Sequence, residues 1–374
     1  MGAHDPFEAR QLRALCAMAL LSPGLRLIPG QAVAAAGALA WLGPLLALPP
    51  LLGLFFLLDR LRRAYREGEA LPELMLRVLG RRAGAMLLLA LGLWLLLGAG
   101  LALRADSERL LVTIYPRAAR GFFVWTLGIA GALAAMGPRK SLLRLGRMAE
   151  PFLLLTLLGV ALAALKSVDL WELLPQELPD GPALLGAQLP ALDILSFGLL
   201  ALCLIPAAPE EGSEGRRGGL RWLLGMVLLL TALGALIQGH FGAALSARLS
   251  APFFALLRDL VFFRSLERLE ALAVALWIFP DLLLVGLALQ AAQRCLRLAL
   301  GWQPEADEHR GDLSRGRWLG WLCCTLAAAL GLLLAPEGET LSLWSGKFLP
   351  LGTLAVCYLL LPLGYLFGKI RKKL

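Results

Sequence analysis

Charge is scarce in this chain: only 17% of its 374 residues are Asp, Glu, Lys or Arg, while 59% are apolar. With a mean hydropathy of +0.72, that balance excludes a water-soluble single domain, whose surface needs charged and polar side chains. Histidine is scarcer still. His4, His240 and His309 are scattered with no second ligand at helical spacing, so no metal site is expected. The six cysteines (Cys16, Cys203, Cys295, Cys323, Cys324, Cys357) lie in or beside apolar segments without a CxxC pattern, which indicates neither a disulfide framework nor a zinc site. No GxxxxGK[ST] nucleotide loop and no HExxH occurs. No cofactor is expected and nothing supports an enzyme.

Long apolar runs are abundant, and barrel-type alternation is absent. Runs of about 17 to 25 residues match the length a helix needs to cross a bilayer. Ten spans are predicted: Leu12–Ala32, Leu39–Leu58, Ala83–Leu103, Phe122–Met136 and Pro151–Leu165, then Leu185–Ala207, Leu220–Ile237, Leu269–Leu289, Trp318–Leu334 and Phe348–Phe367. With a cytoplasmic N-terminus the inside segments carry 25 basic residues and the outside segments ten, Arg26 lying within a span. That alternation follows the positive-inside rule, so both termini are expected to be cytoplasmic. It also accounts for the net charge of +9 without a nucleic-acid partner. A cleaved signal peptide competes for the start, since Arg10 and Arg13 precede a short apolar run. Pro23, Gly24 and Arg26 inside that run argue against it, as does the charge alternation that its removal would spoil. Two stretches read as amphipathic: Leu61–Leu79, expected as a helix on the cytoplasmic face or else a solvated connector, and Phe241–Ser265, too interrupted to span and expected over an outer vestibule.

The chain is thus expected to be one all-α polytopic membrane domain, residues 1–374, with repeats of about 8–166 and 184–368. Ser22-Pro23-Gly24 interrupts the first span, and Ser196-Phe197-Gly198 lies near the middle of the sixth. Freed backbone groups are tolerated at membrane depth only where protein or a wet cavity satisfies them. Two oppositely directed, discontinuous helices, the first and the sixth, fit a 5+5 inverted-repeat secondary transporter. Ser22, Pro23, Gly24 and Leu25 would then face Ser196, Phe197 and Gly198 across a substrate pocket, with Trp94 on its wall. Arg26 and Asp193, each beside a break, are expected to pair as an outer gate, and Asp281 in the eighth span either to titrate or hold a cation or to be a satisfied structural carboxylate. Glu150 and Glu270 sit at span ends, where they are interfacial.

The stretch FFRSLERLEALAVALWIF, residues 262–279, resembles the signature of spore germination permeases. These are the B subunits of endospore germinant receptors, within the amino acid-polyamine-organocation superfamily. The opening, EARQLRALCAMALLSPGLRLIPGQAVAAAGALAW, is similar to that family's first helix and following turn. The resemblance implies a ten-helix, LeuT-like fold that binds a small-molecule germinant, often an amino acid. It further implies A and lipoprotein C subunits as partners, beside membrane lipid, in the inner spore membrane. The residues that carry over are Ser22 to Leu25 and Arg268-Leu269-Glu270. Where relatives commonly have a glycine ahead of the break this chain has Ser22-Pro23, and Arg26 is unusual. An autonomous amino-acid or polyamine transporter of the bacterial cell membrane is the alternative, and a scaffold that binds no small molecule is a third reading.

Overall fold

The structure, a computed structural model, describes residues 7–66, 68–113, 117–137, 139–175, 179–206, 212–249, 251–260, 276–302 and 313–370. In lipid each backbone polar group must be satisfied within the chain, and a helix does this residue by residue. Among the described residues the regular structure is helical throughout, with no strand. The order is α1 (Phe7–Ala36), α2 (Leu48–Arg62), α3 (Leu71–Leu79), α4 (Arg81–Thr113), α5 (Arg120–Met136) and α6 (Arg139–Ala164). There follow α7 (Gly181–Leu204), α8 (Gly212–Ser246), α9 (Pro252–Asp259), α10 (Ile278–Ala299), α11 (Leu313–Leu334) and α12, the run Gly338–Ile370. Among the described residues eight helical stretches are long and apolar enough to cross a membrane, and α5 is a shorter apolar helix. The first stretch, Ala9–Arg62, has 54 residues, far more than the ~20 a single crossing uses. It is interrupted at Gly37, whose φ of 55° suits a residue without a Cβ.

The expected breaks in the first and sixth spans are absent. α1 is wound continuously through Ser22, Pro23, Gly24 and Leu25, and α7 through Ser196, Phe197 and Gly198. A proline inside a helix removes one backbone hydrogen bond and crowds the carbonyl four residues earlier, a local cost that packing can override. α1 and α7 are each other's main neighbours, and Leu20, Leu21 and Leu25 of α1 are buried, as are Leu195, Leu199 and Leu200 of α7. Unwinding either helix would give up that contact.

Irregular backbone occurs elsewhere. α8 leaves helical geometry at Gly242 (φ 71°, ψ 166°), and α12 contains two π-helical turns, Trp344–Phe348 and Val356–Leu360. Each π turn ends two residues before a proline, with Leu349 ahead of Pro350 and Leu361 ahead of Pro362. Proline offers no N–H to the carbonyl four residues back, so the turn widens. The Leu349 and Leu361 N–H groups reach five residues back, to the carbonyls of Trp344 and Val356.

Helices also extend past the predicted spans. The third was expected to end at Leu103, yet α4 runs to Thr113 and carries Arg104, Asp106 and Arg109 into buried positions. Basic residues 139–147, expected in a loop, begin α6. Of the amphipathic stretches, α3 forms only from Leu71 onward, after extended Ala70, and buries Leu71, Leu74, Met75 and Val78. Its Glu73 accepts from the Ala70 N–H at 3.0 Å and from Arg294 at 2.5 Å, tying α3 to α10. In the second stretch α9 is helical and buries Phe253, Phe254, Leu256 and Leu257. The resembling segment 262–275, with Arg268, Leu269 and Glu270, lies outside the described residues, except that its end at Leu276–Phe279 runs into α10.

Candidate functional site

A cavity of about 80 Å³ lies among α1, α4, α7, α10 and α12, room for roughly five to eight waters at 10–15 Å³ each. Helical periodicity turns one face of each helix toward it. α1 contributes Pro23, Arg26 and Leu27; α7 contributes Asp193, Ile194 and Phe197. α4 supplies Trp94 and a run of small residues, Gly98, Ala99 and Ala102, and α10 supplies Leu284 and Ala288. From α12 come Ser345, Leu349 and Thr353, four residues apart. The Trp94 indole lies against Gly352, where a Cβ would overlap its ring atoms, so glycine there sets how closely α12 approaches α4.

Most of the wall is apolar, and its polar groups are few. Asp193 is 5% exposed and Ser345 2% exposed. The Thr353 hydroxyl donates to the Leu349 carbonyl at 3.2 Å and stands within hydrogen-bonding reach of the Asp193 carboxylate. Ser345 Oγ has no hydrogen-bond partner among the described residues, unusual for a buried hydroxyl. Ser345 belongs to the first π turn of α12, and such turns recur at functional sites.

Between the middle of α1 and the first turn of α10, the bundle holds a second group of charges. Arg109 of α4 forms an ion pair with Asp281 of α10 and lies 3.9 Å from Asp106. It also donates to Ser22 Oγ at 3.5 Å, and its guanidinium stands 5.1 Å from the centre of the Phe254 ring on α9. Arg26 is within electrostatic reach of Asp106, Asp281 and Arg109. Two guanidinium groups thus face two carboxylates, a formally neutral set that suits a desolvated site.

Five of the sequence-derived residues, Pro23, Arg26, Trp94, Asp193 and Phe197, line the cavity. The others have different surroundings. Ser22 and Asp281 belong with Arg109. Gly24 faces Leu230, whose Cδ2 would be 2.8 Å from a Cβ, and Leu25 is buried in the core. Ser196 Oγ meets the Tyr358 hydroxyl at 3.1 Å, and Gly198 is packed against Leu20 and Trp222. Arg26 and Asp193 share the cavity, but no ion pair joins them among the described residues; the carboxylates that act on Arg26 are Asp106 and Asp281. Sequence reasoning missed Ser345 and Thr353, whose signal is their eight-residue spacing with Leu349 between them. It also missed Asp106 and Arg109, three apart on one helical face.

No curated protein sequence matches the chain. Among solved structures, it is similar to Mhp1, a nucleobase-cation-symport-1 family transporter in a closed conformation with bromovinylhydantoin bound. The TM-score is 0.63 at 13% identity, over 96% of this chain and 76% of that one; the likeness is one of fold. The family model described as spore germination protein matches residues 7–301, and that match carries the identification: this chain belongs to the spore germination permease family.

Proposed function

We propose that the chain is the germinant-sensing, permease-like subunit of a spore germination receptor, and that the cavity among α1, α4, α7, α10 and α12 holds the germinant. The observation that carries this reading is the cavity itself: lined by five helices, mostly apolar, with a few converging polar groups, as small-molecule sites are. Its volume of about 80 Å³ suits a ligand no larger than a small amino acid. Mhp1, the transporter of similar fold, has a small molecule bound, which supports a ligand-binding role.

In this reading the bundle crosses the membrane ten times. The crossings are α1, α2 with the short turns before it, α4, α5, α6, α7, α8, α10, α11 and α12, in two inverted repeats of about 8–166 and 184–368. Both termini are cytoplasmic, the membrane is the inner spore membrane, and A and C subunits assemble with the chain. Binding is done by side chains, because α1 and α7 are wound through the residues expected to offer free backbone.

The test is germination of spores that carry this chain with its A and C subunits, against spores lacking only this chain, over a panel of amino acids. The reading predicts a response to at least one amino acid that disappears when the chain is omitted. Equal response without the chain would refute sensing, and accumulation of a labelled amino acid by proteoliposomes holding the chain alone would favour an autonomous transporter instead.

A further inference from the structure

We propose that Asp193, with Thr353 beside it, is the counter-ion for a protonated amine of the ligand, so that the cavity selects small molecules by their ammonium group. The inference rests on the ligand-binding reading above and adds the chemistry of recognition.

Asp193 is a buried carboxylate on the wall of the cavity, and among the described residues no cation lies within ion-pair distance of it. The cavity's own cation, Arg26, sits among Asp106, Asp281 and Arg109. A buried charge without a partner is costly at membrane depth, and such residues mark ligand or ion sites. Among the described residues the hydroxyl beside Asp193 is that of Thr353, whose single proton is shared between the Leu349 carbonyl at 3.2 Å and the carboxylate, so it fills at most one of the carboxylate's acceptor sites and leaves the rest open.

The acceptors at this place match an ammonium. Two carboxylate oxygens and the Thr353 hydroxyl oxygen give three acceptors for three N–H donors. Trp94 and Phe197 line the same cavity, and aromatic faces attract cations. No group of three or more His, Cys, Asp or Glu side chains suited to a metal occurs among the described residues. Ser345, four and eight residues from Leu349 and Thr353 along α12, leaves an unpartnered hydroxyl on the same wall. It is free to meet a second polar group of the ligand.

The experiment is thermal unfolding of the full chain in lipid nanodiscs with three probes of similar size: L-alanine, ethylamine, which lacks the carboxylate, and propionate, which lacks the amine. The proposal predicts stabilisation by L-alanine and ethylamine and none by propionate, with at least a tenfold loss of apparent affinity for both amines in Asp193→Asn. If that variant does not insert, Thr353→Val carries the same test with a smaller loss. Stabilisation by propionate equal to that by ethylamine, or undiminished affinity in the variants, overturns the ammonium assignment and leaves the cavity a ligand site. Absence of response to all three probes and to the wider amino-acid panel overturns the ligand-binding reading, and this inference with it.

Discussion

Around Arg109, whose guanidinium stands over the Phe254 ring, two guanidinium groups and two carboxylates from α1, α4 and α10 are gathered. At Asp193 one carboxylate meets a threonine hydroxyl and an empty volume. Both sites are buried in one bundle, and the contrast separates structural charge from functional charge. The first set balances its own charge and fastens α1, α4 and α10 together. In the proposed reading Asp193 completes its coordination only when a ligand amine enters. A bundle built for stability alone would gain by replacing Asp193 with an apolar residue; it would not gain by removing a single member of the compensated set.

The comparison can be broken most severely at Arg109. Arg109→Met leaves Asp106 and Asp281 facing only Arg26, and is expected to destabilise the protein by about 3–5 kcal/mol, read as a fall in unfolding temperature. Adding Asp281→Leu restores balance, with Arg26 against Asp106, and should recover most of that loss. If the double variant is no more stable than the single one, the set is not held by charge balance. A smaller effect sharpens the other side. Exchanging the charges, Arg26→Asp with Asp193→Arg, should not restore the ligand response lost in either neutral variant, because Arg26 answers to Asp106 and Asp281. Rescue by the exchange, measured as ligand-induced stabilisation, would reinstate a direct Arg26–Asp193 gate. The smallest change is Ser345→Ala. Removing a buried hydroxyl that has no partner should leave unliganded stability the same or raise it by at most about 1 kcal/mol. The same variant should weaken ligand binding; a clear drop in unliganded stability would mean that the hydroxyl serves the fold.

Much of the architecture was legible in the sequence, because long apolar runs admit few solutions in lipid. The first and sixth spans do meet, as α1 and α7, and Pro23, Arg26, Trp94, Asp193 and Phe197 do share one cavity. What failed was the inference from proline and glycine to unwound backbone. Such residues report a local cost, and the winding of α1 through Pro23 is decided by α7 packed along it, which no local pattern records. In α12 the prolines at 350 and 362 coincide with π turns rather than breaks. Hydropathy likewise ended the third span at the first arginine, whereas α4 continues because Arg104 bonds the Ala335 carbonyl and Glu108, and Arg109 finds Asp281. Compensation across helices is invisible to a window along one of them. Asp193 stands out in the sequence as an acidic residue in the middle of a span; that no described cation pairs with it is a property of the assembled helices.

The most direct test is an experimental structure of the chain with ethylamine or L-alanine bound. The account predicts the ligand in the cavity among α1, α4, α7, α10 and α12, its nitrogen within hydrogen-bond distance of the Asp193 carboxylate and Thr353. A ligand whose nitrogen is held instead by backbone carbonyls of an unwound α1 or α7, with Asp193 left out of contact, would contradict it.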